Sequence, residues 1–482
     1  VSFVTRHRVT ASARAAALAL ALTCASMGPV GADPVSGQVT GPLAAPNPFL
    51  GPVGTATMHG DAGSSDVTPL AGPAPGAPVT VYPLGAACPT LLEGSDGLVV
   101  ALCTAIAGQA PTVFLLDPAA PGPLAGALTS LALTKGSLLG GVYAYLDNAD
   151  RLVLVDGDRR LLRVAHERAA DGGWQLSATE QADLSGAIPE GDNVTGLVPD
   201  WSGNVWFATG HGLVGLVNAA GRIETVALPS GEQIANSISA ASNGAVAVAS
   251  THALYELAAK DGAPVVRWRA AYERGSARKP GQLSWGTGST PTYFGPGTGE
   301  EYLALVDNAD DQVRLLILAS GSGERVCSVP VLTEGGPGSE NSPIGIGNSV
   351  FVASTYGYPY PAVPDGAGPA VPATAPLRGG LTRVDLTPTG CAQVWDSPVR
   401  SAAVPKLSLA DGGVHTLRRV GPETATPLDG YEYVVIDAAT GAVRAATPLP
   451  GTVAQDPLQM AALTTHGGAL LQGTVTGVVR VG

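Results

Sequence analysis

The sequence predicts an all-β protein: an eight-bladed β-propeller, closed by an N-terminal strand in the last blade. Three observations predict it. First, short apolar runs separated by Gly-containing turns recur along most of the chain. In the segment PDWSGNVWFATGHGLVGLVNAAGR (199–222), the runs Val205–Thr209 and Leu213–Val217 spell a narrow antiparallel meander. Repetition at this spacing is how a propeller is written in sequence. Second, 64 glycines and 40 prolines in 482 residues punctuate many turns, which suits many short strands better than long helices. Third, the last repeat is one strand short, while an apolar run at 79–82 precedes the first repeat. A strand from the N-terminal side can therefore complete the C-terminal blade and remove free sheet edges.

The repeats follow in order along residues 79–482, the propeller domain. The first holds runs at 98–103 and 113–117, the second at 142–146, 152–156, 161–165 and 175–178. The third is the meander above, closed by 223–228, and the fourth runs through Ile238 to 245–250, 254–257 and 265–268. The fifth has 302–306, 313–318 and 326–331, and the sixth 349–354, 381–386 and 392–395. The seventh has 414–418, 431–436 and 443–447, and the last 460–464, 469–474 and 477–481. Seven blades is the runner-up count, because the first unit is poorly delimited. The segment AYLDNADRLVLV (144–155) echoes ALVDNADDQVRL (304–315). Asp-Asn-Ala-Asp between apolar runs suits a hairpin turn, with a metal-binding loop as the sharper alternative. The Pro-rich stretch 358–376 interrupts the sixth unit and cannot pair as a strand, so it reads as an exposed insert on the rim; a passive insert is favoured over a gate.

The N-terminus reads as an export signal: Arg6, Arg8 and Arg14, an apolar stretch 15–22, and the small residues Val30, Gly31 and Ala32 before a cleavage point. Residues 1–32 are thus expected to be a signal peptide and the protein to be secreted. Residues 33–78, rich in Pro, Gly, Ala and Ser without an apolar period, read as a flexible lead. No later segment is long and apolar enough to span a bilayer as a helix. Without its first 32 residues the chain has 23 basic and 39 acidic residues, a net charge of −16, which argues against a nucleic-acid partner. The expected partner is a small molecule or protein ligand, and the expected state a monomer.

Cys24 would leave with the signal, and the four remaining cysteines suggest disulfides. The pairing chosen is Cys88 with Cys103, closing a short loop, and Cys327 with Cys391, joining equivalent strands of neighbouring repeats. Free buried thiols are the alternative. No cysteine spacing resembles a zinc site.

Two unit ends, VDLTPTGCAQVW (384–395) and VIDAATGAV (435–443), read as an apolar strand, Asp, and then Thr-Gly. They resemble the repeat of quinoprotein-like, PQQ-type eight-bladed propellers, while 203–221 is similar to repeats of lyase and lactonase propellers. Over nearly the whole domain the chain resembles secreted bacterial propeller proteins. PQQ-dependent dehydrogenases of this fold carry two adjacent cysteines beside the cofactor and a tryptophan ending most blades. This chain has no adjacent cysteine pair and has such a tryptophan only at Trp395 and Trp268. The resemblance therefore implies the scaffold and not the quinone.

Polar residues recur just before the innermost strand of each unit: Asp192, Asn193 and Thr195; Glu232, Gln233 and Asn236; Thr287, Ser289 and Thr292; Glu340, Asn341 and Ser342; Lys406 and Ser408. Such residues face one mouth of the channel, where ligands bind. A ring satisfied by channel water is the favoured reading. The alternative is a hard-cation site, with Ca²⁺ held by Glu232, Asn236, Glu340 and Asn341 and assisted by Asn193. Apart from that Ca²⁺, no cofactor is expected. Nucleophilic catalysis has little support: there is no Gly-x-Ser-x-Gly elbow, and His211, His252 and His415 fall in separate units. The leading function is a binding or interaction scaffold. A metal-assisted hydrolase or lactonase comes second, and a quinone-dependent dehydrogenase last.

Overall fold

A computed structural model describes residues 38–482, apart from 123, 137–142 and 365. The expected export signal and residue 142 of the second unit lie outside these residues. The chain from Ser36 to Gly482 forms one compact unit. It contains eight four-stranded antiparallel meanders, so the count is eight blades and not seven.

The first blade is Ala86–Glu93, Val99–Ala105, Pro111–Leu116 and Thr129–Ala132. The second is Tyr145–Leu146, Leu152–Val155, Arg160–Arg168 and Trp174–Asp183. The third is Val194–Pro199, Val205–Thr209, Leu213–Val217 and Ile223–Ala227. The fourth is Ser239–Ala240, Ala245–Ala249, Ala253–Lys260 and Ala263–Ala271. The fifth is Thr292–Phe294, Tyr302–Val306, Arg314–Ala319 and Arg325–Pro330. The sixth is Ile344–Ile346, Ser349–Ala353, Leu381–Thr387 and Gly390–Ser397. The seventh is Lys406–Ser408, Gly413–Val420, Gly430–Asp437 and Val443–Pro448. The eighth is Leu463–Thr464, Leu470–Thr474 and Gly477–Val481, completed on its outer side by Val79–Pro83, which pairs antiparallel with Gly477–Val481.

Blades stack face on face, so a middle strand is covered on both sides. That explains why strands such as Val205–Thr209 and Ala245–Ala249 are buried along their whole length, while the outermost strand Ala263–Ala271 alternates between covered and open positions. The apolar core is correspondingly divided. Eight clusters among the described residues each fill one blade-to-blade interface, including that of the eighth blade with the first.

Both expected disulfides form. Cys88–Cys103 links the two inner strands of the first blade, and Cys327–Cys391 links the outermost strands of the fifth and sixth blades. The Asp-Asn-Ala-Asp echo is turn chemistry in both copies: Asp147 accepts the Ala149 and Arg151 amides at 3.0 Å, and Asp307 accepts those of Ala309 and Arg314 at 3.3 and 2.7 Å. The two copies are not equivalent repeats, however. One joins the first and second strands of its blade, the other the second and third.

The expectation of a flexible lead is overturned for residues 38–78. The carbonyls of Thr55, Ala56, Ala62, Gly63, Ser65, Asp66 and Thr68 accept hydrogen bonds of 2.7–3.2 Å from the amides of Glu93, Leu146, Ala240, Tyr293, Gly345, Leu407 and Leu409. Those amides belong to, or directly follow, the innermost strands of the first, second, fourth, fifth, sixth and seventh blades. The Asn47 amide reaches the third, donating to the Pro199 carbonyl at 2.8 Å. Val67–Thr68 pairs in parallel with the innermost strand of the seventh blade. The lead therefore winds around the inside of the ring and fills its axis. Its composition hid this: small Gly, Ala and Ser side chains let backbone meet backbone, and no apolar period is needed.

Candidate functional site

The innermost strands all run the same way along the axis, so the channel has a mouth at their starts and another at their ends. The lead crosses the second. Gly51 bonds the Leu146 carbonyl, Trp201 donates to the Pro46 carbonyl at 3.2 Å, and Gly72 bonds Asp411 in the turn after the seventh innermost strand. The first mouth collects the polar residues expected from the sequence and carries the long insert.

Glu340, just before the sixth innermost strand, is the centre of this first mouth. It is 7% exposed, and neither carboxyl oxygen makes a hydrogen bond of good geometry, although the Leu283 backbone and the Asn236 side chain approach the group. Four other segments converge on it. Gly288, before the fifth blade, packs so closely that a Cβ there would lie 2.1 Å from Glu340 Oε2. Asn236, before the fourth blade, approaches the carboxyl while its own amide donates to the Gly288 carbonyl. Tyr143, before the second blade, donates to Asn236 Oδ1 at 3.0 Å. Tyr360, from the insert, stands within electrostatic reach of both Glu340 and Tyr143. Burial pushes the Glu340 carboxyl up to about 7 from 4.5, partly offset by the Leu283 backbone, Asn236 and the Arg278 charge.

A test of that geometry is pH-dependent stability. The folded pKa lies above the unfolded one, so the stabilisation is complete below 4.5 and is lost as pH rises through about 7. Glu340→Gln should remove a decline of about 3 kcal/mol between those limits. Chemical denaturation at several pH values reads it, and parallel curves for the two proteins would mean that the carboxyl is solvated.

The five residues considered for Ca²⁺ do not make one ligand set. Glu232 is consumed elsewhere: Arg269 pairs with it at 2.7 Å, Tyr255 donates at 2.8 Å, and Ser250 donates to the same oxygen. The Asn341 amide donates to Gln459 at 3.1 Å, and Asn193 lies against Gly191 and Gly136. Asn236 and Glu340 approach each other. Among the described residues no group of three or more His, Cys, Asp or Glu could hold a metal. Asp192 serves its own blade, taking the Thr209 hydroxyl at 2.6 Å and the His211 amide at 3.0 Å, and Thr287 and Ser289 bond neighbouring carbonyls.

The insert is tied down across this mouth. Arg278 donates to the Gly368 carbonyl at 2.9 Å and accepts from the Val371 amide at 2.8 Å, and Tyr358 donates to Asp456, before the eighth blade. Lys279, beneath it, gives its ammonium to the Pro337 and Ala309 carbonyls, and burial pulls it down to about 8.

One cluster escaped the sequence reading because half of it lies in the lead. His59 Nδ1 is 3.0 Å from Asp66, and Ser342 Oγ contacts both the same Asp66 carboxylate and His59 Nδ1. A serine–histidine–aspartate relay needs the serine on one ring nitrogen and the acid on the other. Here both share Nδ1, so the serine is not activated and the set locks the lead to the sixth blade. Lys406 beside it is 3% exposed, and burial lowers it to about 8 against the pull of Asp66 and Asp61. The three histidines noted in the sequence are likewise structural or exposed: His415 bonds Tyr433 and Asp411, His252 bonds Thr251 and Arg274, and the His211 side chain is largely exposed.

No protein-family model matches the chain, and no curated protein matches it in sequence. Solved structures do. The quinohemoprotein alcohol dehydrogenase of Comamonas testosteroni aligns over 91% of this chain and 81% of its own, with 12% identity and a TM-score of 0.53. A europium-containing methanol dehydrogenase aligns over 88% and 97%, with 9% identity and a TM-score of 0.50. At such identities the likeness is one of fold alone: this chain is an eight-bladed β-propeller in architecture. Among the described residues no helix is long and apolar enough to cross a membrane.

Proposed function

We propose that this protein is an exported binding scaffold whose ligand seat is the first mouth, around Glu340. The carrying observation is the convergence of the segments before the second, fourth, fifth and sixth blades, and of the insert, on a buried carboxyl that has no well-formed hydrogen bond and is approached only by the Leu283 backbone and Asn236. A buried polar group left unpaired costs about 1–3 kcal/mol, a cost that a ligand hydrogen bond would remove. Half-buried Tyr360 lies within electrostatic reach of this carboxyl. The two disulfides and the basic, then apolar, N-terminal sequence support export.

The reading is tested by ligand-detected NMR with a set of small polar fragments, run beside metal analysis and a γ-butyrolactone hydrolysis assay. The expected result is fragment binding that disappears in Glu340→Leu, with no chelator effect on thermal unfolding and no hydrolysis above buffer. Chelator-sensitive hydrolysis would transfer the assignment to a metal-assisted lactonase. Fragment binding indifferent to Glu340→Leu would remove the seat from this mouth.

A further inference from the structure

The second mouth holds a separate crevice, formed wholly within the lead. Leu43, Pro46, Leu50, Pro52, Val53 and Val67 are among its walls, and its volume is about 180 Å³. Asp61 is part of its lining and also of a neighbouring cavity of about 20 Å³ on the blade side, so this residue stands between the two. The Asp61 carboxylate accepts from Ser65, through its amide at 3.2 Å and its hydroxyl, and is approached by the Gly63 amide. No Lys, Arg or His nitrogen among the described residues comes within 4.0 Å of it. Lys406 influences it from farther away. Burial, and with it the nearby Asp66 charge, raises the Asp61 carboxyl above its ordinary value, so its ionised form in this mostly apolar crevice is short of counter-charge.

We infer that this crevice binds a small organic ammonium, its apolar body against Leu43, Leu50, Pro52 and Val53 and its charge on Asp61. Size and chemistry agree on this. An apolar cavity of about 150 Å³ is known to hold benzene, so the present one suits a six-membered ring bearing one amine. A carboxylate against low-dielectric walls favours a cation over a neutral isostere, and rejects an anion. The partly exposed Val53 forms the lip, so the ligand enters without unfolding the lead.

The probes are cyclohexylammonium, cyclohexanol and cyclohexanecarboxylate, titrated at pH 7 into the full chain by calorimetry. The amine is expected to bind saturably, at least tenfold tighter than the alcohol, with no binding of the carboxylate. Asp61→Asn keeps an acceptor for Ser65 and should reduce the amine to the affinity of the alcohol. Val53→Arg, at the exposed lip, supplies a competing cation without touching the fold and should weaken the amine similarly. Glu340→Gln should leave the amine unaffected, which separates this site from the first mouth. Equal affinity for all three probes, no saturable amine binding, or amine binding unchanged in Val53→Arg would each overturn the assignment.

Discussion

A chain beginning at Val79 is expected to lose at least about 5 kcal/mol of stability and to melt about 5 °C or more below the full chain. It keeps the strand that closes the eighth blade. It lacks the segment whose carbonyls take the seven inner-strand amides, each bond being worth about 1 kcal/mol net. It also removes Ala56, Ala62 and Val67, which are packed into three different blade interfaces, and so leaves their apolar neighbours uncovered. Water could satisfy the exposed amides, so the apolar loss and the buried His59–Asp66–Ser342 set carry the rest. A finer version is Gly60→Ala. Gly60 has φ +90°, and a Cβ would meet the Val67 carbonyl oxygen at 2.7 Å, so about 2 kcal/mol should be lost without removing any segment. Calorimetric melting decides both. A truncated chain that unfolds within a degree or two of the full one would show that the axis filling is ornamental.

The double change Cys327→Ser and Cys391→Ser should cost about 4 kcal/mol in denaturant unfolding. Their sequence separation is 64 residues, and the loop-closure entropy removed from the unfolded chain grows with that length. The shorter Cys88–Cys103 loop of 15 residues should be worth about 3 kcal/mol. The longer bridge also joins two blades at their outermost strands, at the rim, where Arg325–Pro330 is only half-buried or exposed along its length. Local opening of the fifth and sixth blades should therefore rise, seen as faster amide exchange in the strands carrying the two cysteines. Unchanged denaturation midpoints in the double variant would place both cysteines outside the stability of the ring.

The two mouths were unequally legible. The residues before the innermost strands could be found because polar positions interrupt an apolar repeat at a constant place, and Asn236 and Glu340 are two of them that approach each other. Glu232 occupies the same kind of position, yet its side chain turns to Arg269 and Tyr255 on the fourth blade. Position in a repeat fixes where the backbone is and leaves side-chain direction to the nearest counter-charge. Tyr143 and Tyr360 could not have been joined to Glu340 by any pattern, since they arrive from a short connection and from a Pro-rich insert. The repeated Asp-Asn-Ala-Asp motif misled in the opposite sense: the same turn chemistry serves any tight hairpin, whichever strands it joins.

The amino-acid order by itself pointed to the propeller, with eight blades ahead of seven, to the strand that closes the ring, and to both disulfide pairings ahead of free thiols. The propeller follows from apolar runs that need two covered faces, and the longer bridge from cysteines at matching places in neighbouring repeats. Only the tertiary structure decided how many blades there are, what fills the axis and which carboxyl is buried there. A segment of Gly, Ala, Ser and Pro has no apolar face to announce, because it is held through its carbonyls by strand edges that exist only once the blades stand in a ring.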